Sequence, residues 1–327
     1  MNILLVNHYA GSPTLGMEFR PYHLAREWVR AGHQVLIIGA SYSHLRTRQP
    51  APGDETVDGI AYRWLATPPY AGNGFGRAWN IALFLTRLGL QAKRLAREFR
   101  PDAVIASSTY PMDIWVARRI ARPARARLVF EVHDLWPLSP IELSGMSASH
   151  PFIRLCAQAE ADAYRDADVV VSMLPKVSEY MASRGLDLRK LHVVPNGVAP
   201  QDWASAPEPL RPDVADSIAA LRGQGRAVLG YAGSMGLPNA LDTLLDAAQQ
   251  LRDAPVGIVL VGDGLERERL ARRIAVDALV HVHLLAPIPK AQIPSFLAAI
   301  DVAYIGWQRS PIYRFGIAPN KLMDYMM

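Results

Sequence analysis

The chain has 327 residues, which at roughly 100–200 residues per domain points to two domains rather than one. Hydrophobic residues make up 50% and charged residues 20%, which excludes a disordered chain. The net charge of +5 favours anionic partners without any nucleic-acid-binding motif, and the single cysteine, Cys156, excludes an internal disulfide and speaks against a zinc site.

Residues 3–6 form the first apolar run, read as a strand. The start, Met-Asn-Ile-Leu-Leu-Val-Asn, has no basic segment and too short an apolar run for a signal peptide. No stretch approaches the ~20 apolar residues of a membrane-spanning helix. The reading is a cytoplasmic protein. After the strand come Asn7-His8-Tyr9-Ala10-Gly11 and Gly16-Met17-Glu18-Phe19-Arg20. Gly11, Gly16 and Arg20 are candidates for an acceptor or phosphate loop, because glycines let backbone amides approach an anion. The spacing is not the dinucleotide fingerprint, and no acidic residue ends the next strand, which disfavours a nicotinamide enzyme. The plainer reading is an ordinary loop between strand and helix.

Residues 21–31 read as an amphipathic helix closed by Gly32, and 35–39 as a strand. Residues 57–65 read as an exposed strand-pair element with polar alternation, and 78–99 as a long helix. That helix and its flanks carry Arg77, Arg87, Lys93, Arg94, Arg97 and Arg100 beside apolar Trp79, Ile81, Phe84, Leu88 and Leu90. Such a helix can lie on an anionic membrane, although more commonly it packs on a sheet with its charges in water.

Residues 103–107, 128–132 and 169–173 are further short strands with helical segments between them. The alternation implies a mostly parallel sheet covered by helices. Ligands of such sheets sit at the carboxyl ends of the strands. There, residues 128–132 run into His133-Asp134-Leu135-Trp136-Pro137. An imidazole can bond a phosphate or a sugar hydroxyl, and a carboxylate can accept from hydroxyls. His133 and Asp134 are therefore candidate catalytic residues, against a reading in which His133 caps the sheet and Trp136 fills the core.

Prolines crowd residues 195–212, which read as a linker. The division is a domain over 1–198, a linker over 199–212 and a second domain over 213–327. The second domain alternates strands (228–231, 257–261, 280–284, 301–305) with helices (241–251, 265–274, 293–299). After its first strand, Gly233, Ser234 and Gly236 form a turn whose amides suit a diphosphate. Gly262 and Gly264 repeat the device, or simply make a tight turn. Pro319 starts a last helix, which puts Lys321 and Asp324 on one face. The lysine suits a phosphate and the carboxylate a ribose; alternatively the two form a surface salt bridge.

Together these segments resemble the family-4 glycosyltransferases, a retaining group with the GT-B fold. The resemblance covers nearly the whole chain. It rests on the loop with Gly16 and Arg20, on Phe-Glu-Val-His-Asp-Leu-Trp-Pro and on Val-Val-Pro-Asn-Gly-Val. It continues through Tyr-Ala-Gly-Ser-Met-Gly, Val-Gly-Asp-Gly and Ala-Pro-Asn-Lys-Leu-Met-Asp-Tyr-Met. Asp-Leu-Trp-Pro and Pro-Asn-Lys-Leu look most like the branch with L-fucosamine transferases of bacterial surface polysaccharide synthesis.

The resemblance implies an α/β GT-B fold, two Rossmann-like domains facing across a cleft, the first for the acceptor and the second for the donor. It implies a retaining, metal-independent transfer with no cofactor. The donor would be a nucleotide-sugar, UDP-linked and carrying an amino sugar. The acceptor would be a lipid-linked saccharide at the inner face of the plasma membrane. Donor binding falls to Gly233, Ser234, Gly236, Gly316, Asn320, Lys321 and Asp324. Lys321 and backbone amides would stabilise the leaving diphosphate, and His133 would contact the transferred sugar. The family carries two glutamates separated by seven residues. Here the second position is Asp324 and the first is Gly316, which has no carboxylate. The family's arginine and lysine after the first strand of the second domain are absent, with Ser234 and Asn239 in that region, so Lys321 carries more of the charge. The sequence stops at Met327, where the family continues with a turn, a strand and closing helices. The expectation is a less stable or inactive product unless the natural chain is longer. A sugar-nucleotide 2-epimerase of the same architecture and a non-catalytic scaffold subunit are the alternative readings.

Overall fold

The computed structural model describes residues 1–16, 19–72, 74–204 and 206–327. The chain forms two compact units, Met1–Pro195 with Ser310–Ile317, and Asn196–Arg309 with Ala318–Met327.

In the first unit the elements run β1 (Asn2–Val6), α1 (Phe19–Arg30), β2 (Gln34–Ala40), β3 (Gly53–Val57), β4 (Ile60–Leu65) and α2 (Phe75–Glu98). They continue with β5 (Ala103–Ala106), α3 (Asp113–Ala124), β6 (Arg127–Val132), α4 (Leu138–Ser144), α5 (Pro151–Asp166), β7 (Val169–Ser172), α6 (Ser178–Ser183) and β8 (Leu191–Val193). The sheet order is β3-β4-β2-β1-β5-β6-β7-β8, parallel except for the β3–β4 pair.

Strand side chains alternate between faces, so an unbroken apolar run requires cover on both. In β1, Ile3 and Leu5 join Ile37, Tyr62 and Trp64 beneath Tyr22 and Ala25 of α1. Leu4 and Val6 join Leu36 and Ile38 beneath Phe84 and Leu88 of α2 and Ile114 and Ile120 of α3. Leu4 and Leu5 are wholly buried, and truncating either to alanine removes packing worth about 2–5 kcal/mol.

The exposure read for the strand-pair element over 57–65 is corrected. Asp58 and Gly59, at φ 51° and 78°, form a tight hairpin turn between antiparallel β3 and β4. Ile60, Tyr62 and Trp64 of β4 are buried, and only β3 is exposed. The exposed, polar positions belong to the outer strand, and the alternating aromatics of the inner one fill the core.

Residues 310–317 pack into the first unit. Ile312 and Phe315 join its core, Arg314 makes two 2.8 Å hydrogen bonds to Glu142, and the Lys176 amide donates to the Phe315 carbonyl at 3.0 Å. Cys156 is fully buried, 3.7 Å from the Met112 sulfur. Burial, with Glu160 nearby, pushes its thiol up to about 12.

The second unit holds α7 (Pro200–Trp203), α8 (Pro212–Gly223), β9 (Ala227–Ala232), α9 (Leu241–Gln250), β10 (Val256–Val261), α10 (Arg267–Val276), β11 (Val282–Leu285), α11 (Ile293–Ala299), β12 (Val302–Ala303) and α12 (Asn320–Met326). Its parallel sheet has the order β11-β10-β9-β12. Val259 and Val261 of β10 face α8 and α11, whereas Ile258 and Leu260 face α9 and α10. β12 is shorter than the strand read over 301–305. Among the described residues, no helix is long and apolar enough to cross a membrane.

Candidate active site

The first cluster grows out of strand register. Val6, Ala106 and Phe130 are register partners across β1, β5 and β6. The next residue of each strand, Asn7, Ser107 and Glu131, therefore falls in a row at the carboxyl edge of the sheet. Asn7 Nδ2 donates to the Ser107 carbonyl at 2.6 Å, and the Ser107 hydroxyl donates to Glu131 Oε2 at 2.6 Å. His133 lies two residues beyond Glu131, which returns its side chain to the same side. Its Nε2 is 2.9 Å from Ser107 Oγ and 3.5 Å from Glu131 Oε2.

Arg20 enters from α1. Its Nε and Nη2 reach Glu131 Oε1 at 3.0 and 2.9 Å, while Nη2 and Nη1 donate to the carbonyls of Val194 and Pro195 at 2.9 and 3.1 Å. The guanidinium is thus engaged within the fold. Burial pushes the Glu131 carboxyl up, but the hydrogen bond and charge of His133, the Arg20 charge and the Ser107 hydroxyl outweigh it and hold the group at about 2. Asp134 is exposed and shares none of these hydrogen bonds. Gly11 accepts from the Tyr62 hydroxyl at 3.2 Å, and Gly16 lies against Thr47. Met17 and Glu18 lie outside the described residues.

Behind the row sit two buried ionisable groups that sequence reasoning missed. His8 is wholly buried with Nδ1 2.7 Å from the Tyr110 hydroxyl, and burial pushes it down to about 3, so the ring is neutral. Asp113 accepts from the Ser108 amide at 2.9 Å, yet burial pushes its carboxyl up to about 7. Glu131 was also missed. Its signal was present: a lone acid inside the apolar run Leu-Val-Phe-Glu-Val.

The second cluster lies in the second unit. Lys321 Nζ donates to the Tyr231 hydroxyl and to Asn239 Oδ1, both at 2.8 Å. Tyr231 in turn donates to the Ser234 carbonyl at 2.5 Å, and Asn239 Nδ2 donates to the same oxygen at 3.0 Å. The four residues close a ring that clamps the loop after β9. Desolvation by burial pushes the Lys321 ammonium down to about 8.

The loop after β10 clamps the other side. The Gly233 amide donates to Val261 at 3.0 Å and the Met235 amide to Asp263 at 2.7 Å. A Cβ on Gly262 would lie 1.9 Å from the Gly233 carbonyl oxygen, so the two backbones touch where only glycine fits.

The structure thus brings Gly233, Ser234 and Gly236 together with Lys321. Asn320 accepts from Asn196 Nδ2 at 2.8 Å. Asp324 pairs with Lys290 rather than with Lys321, which corrects the salt bridge considered between the two α12 residues. Gly316 belongs to the first unit, at φ 94°, with its Cβ position 2.7 Å from the Pro175 ring.

Residues 16–197 match the glycosyl transferase 4-like domain. The probable glycosyltransferase WbjE of Pseudomonas aeruginosa is 23% identical over 235 residues, which is 71% of this chain and 56% of that protein. The chain therefore spans little more than half the length of this curated relative. Anabaena Alr3699/HepE, solved with UDP and glucose, superposes with a TM-score of 0.60 at 20% identity, over 94% of this chain and 74% of that one. WaaG, a glycosyltransferase involved in lipopolysaccharide biosynthesis, superposes with a TM-score of 0.60 at 13% identity, over 94% and 75%. The fold is that of the GT-B glycosyltransferases.

Proposed function

Because the chain belongs to the glycosyl transferase 4-like family, we propose that it moves a sugar from a nucleotide-activated donor to a saccharide acceptor. Lys321 carries this reading. It is a part-buried cation whose hydrogen bonds go to two neutral groups, Tyr231 and Asn239, beside the Gly233–Gly236 loop. A desolvated charge is stabilised by a counter-ion. The donor's diphosphate supplies one, with the Ser234 and Gly236 amides completing its contacts. As the glycosidic bond breaks, negative charge grows on the leaving diphosphate, and Lys321 meets it there.

The fuller reading is a UDP-linked amino sugar, transferred with retention and without a metal to a lipid-linked saccharide of bacterial surface polysaccharide. The complex of HepE with UDP and glucose supports the base, WaaG supports the pathway, and the resemblance to the fucosamine branch supports the sugar. His133 contacts the transferred sugar, and Asp324 takes the ribose hydroxyls. The chain works at the cytoplasmic face of the membrane, where α2 is the contact. Phe75, Trp79 and Leu90 are 83%, 54% and 82% exposed. Their spacing puts them on one ridge with exposed Lys93 and Arg97.

Gly316 favours a second reading, a non-catalytic partner subunit, since the Pro175 ring occupies the space a carboxylate there would need. A melting panel with UDP, UDP-glucose and UDP-N-acetylhexosamines separates the two. A true donor at a hundred times its Kd stabilises the fold by about 2.7 kcal/mol. Binding with transfer to a lipid-linked acceptor supports the first reading, and the anomeric signal of the product reports retention. Binding without transfer supports the second. A panel in which neither UDP nor any UDP-sugar raises the melting temperature overturns both.

A further inference from the structure

We propose that the glycine-rich turn into α2, with Arg77, His44 and Arg46 around it, holds the phosphate that links an acceptor saccharide to its lipid. The inference rests on the transferase reading and gives the anionic group of its acceptor a place in the first unit.

The chain enters α2 through Ala71-Gly72-Asn73-Gly74-Phe75-Gly76-Arg77, of which Asn73 lies outside the described residues. The first amides of a helix have no partner within it, and the helix dipole leaves positive potential there. Helices commonly answer with a capping side chain or an acid. α2 has neither, although it is 24 residues long: its N-cap is Gly74, no side chain caps it and its first turn holds no acid. The first turn carries Arg77 instead. A cation at the positive end of a helix is unfavourable by itself and favourable with an anion beside it. Gly74, Phe75 and Gly76 are exposed, and the glycines let an anion approach the backbone.

Other elements bring basic side chains to the same place. Tyr70 packs on the helix start, where a Cβ added to Gly76 would lie 3.1 Å from the Tyr70 Cβ. The Tyr70 hydroxyl is 2.7 Å from Nδ1 of His44, an exposed residue of the loop after β2. The His44 ring stands edge-on to Tyr9, with centroids 6.1 Å apart. Arg77 donates to the Tyr9 hydroxyl through Nε and Nη2 at 3.1 and 2.9 Å. An imidazole and a guanidinium thus flank one tyrosine at the start of α2. Arg46 lies behind them, only 5% exposed, over the Trp64 ring and bonded to the Ala40 carbonyl. Among the described residues its Nε and Nη1 find no hydrogen-bond partner and its charge no carboxylate. Burial pushes it down to about 10, so it stays charged at neutral pH. Burial also pushes neighbouring His8 down to about 3, and the charges of Arg46, Arg77 and His44 act in the same direction, which marks the end of β1 as a positive region.

A desolvated cation is stabilised by a counter-ion. A phosphate at the helix start meets the charge of Arg46 from in front, balances Arg77 and accepts from the first amides of α2 and from His44. Phe75 and Trp79, 83% and 54% exposed on the same turns, suit the hydrocarbon joined to that phosphate. Arg20, the cation expected for an anion in this unit, is engaged by Glu131 and two carbonyls.

Calorimetric titration with geranyl diphosphate tests the site in the wild type and in Lys321→Met, which lacks the cation proposed for the donor's diphosphate. Both should bind the probe with the same Kd, and neither should bind geraniol. His44→Gln and Arg77→Met should each weaken binding by about tenfold or more, as expected for one charge-assisted contact. The His44 ring signals in NMR, assigned by their loss in His44→Gln, should shift with geranyl diphosphate and stay in place with geraniol. Should Arg77→Met fail to fold because Tyr9 loses its donor, His44→Gln, at an exposed residue, decides alone. No binding of geranyl diphosphate, or an unchanged Kd in His44→Gln, overturns the proposal. Dihexanoyl phosphatidylglycerol bound as tightly as geranyl diphosphate overturns it too, because the surface would then take any phospholipid headgroup. UDP reports separately. If UDP fails to stabilise the wild type while geranyl diphosphate binds as expected, the donor assignment falls and the phosphate site stands; the converse result removes the phosphate site alone.

Discussion

Lys321 combines low intrinsic stability with the charge that the proposed donor would need. Its ammonium sits at about 8 because burial disfavours the ion. The unfolded chain holds that proton up to about 10.4. Between these values the unfolded state binds more protons, so the unliganded fold gains stability as pH rises through that window. On the proposed reading UDP binds to the ammonium, so its affinity should fall as pH rises through 8. Lys321→Met should melt at or above the wild-type temperature at pH 7, lose stabilisation by UDP and lose both pH dependences; calorimetry with and without UDP reads all three. Gly316 behaves oppositely. Restoring a glutamate there forces a side chain onto a left-handed backbone against Pro175. Gly316→Glu should lose about 1–3 kcal/mol in urea unfolding without gaining turnover. The residue types at these positions were legible in the sequence, because lysine and glycine each state a chemistry. Their partners were not. Nothing in a linear reading tells that Lys290 takes Asp324, or that Arg20 is engaged with Glu131 and two carbonyls.

At the scale of elements, strand identity was written plainly in apolar runs such as 3–6 and 257–261, since both faces of each strand are buried and every position must be apolar. The pairing of β3 and β4 was legible over 57–65, but its exposure was misread: Tyr62 and Trp64 alternate with Ala61 and Arg63, which mimics a solvated edge, yet they lie in the core. The Gly262 loop shows a different gap. Its glycine answers to the Gly233 carbonyl on another strand, a contact that local pattern does not encode. α2 combines both kinds of information. Its sequence announced an amphipathic helix, and the structure separates buried Ile81, Phe84 and Leu88 from exposed Phe75, Trp79 and Leu90. Arg77 packs over the Tyr9 ring, Arg87 bonds the Ala66 carbonyl and Arg94 pairs with Glu98, which leaves Lys93 and Arg97 as the basic members of the exposed ridge. Phe75→Ser with Trp79→Ser should lower co-sedimentation with vesicles containing phosphatidylglycerol, and Lys93→Glu with Arg97→Glu should lower it only at low salt. Unchanged sedimentation in both would remove the membrane from the reading.

At the scale of the molecule, the chain divides into two α/β units, and each holds one of the two candidate clusters. The Asn7–Ser107–Glu131–His133 cluster lies wholly in the first and the Lys321 ring wholly in the second. The family match over 16–197 falls almost entirely in the first unit, while solved GT-B structures superpose over 94% of the chain. Alternation of strands and helices carried this architecture in the sequence, because a crossover helix returns the chain between most parallel strands; β2 and β4, joined through β3, are the exception among the described residues. The return of 310–317 to the first unit was illegible, as it depends on Phe315 and Arg314 finding partners more than a hundred residues earlier.

Cys156 gives the molecule a practical property. The only thiol is sealed in the core beside a methionine and stays protonated under the conditions of ordinary labelling chemistry. A fluorophore carried on maleimide should therefore ignore the native chain and attach to a single cysteine introduced at exposed Ser234, turning the loop beside Lys321 into an optical reporter of donor arrival with the natural sequence otherwise untouched.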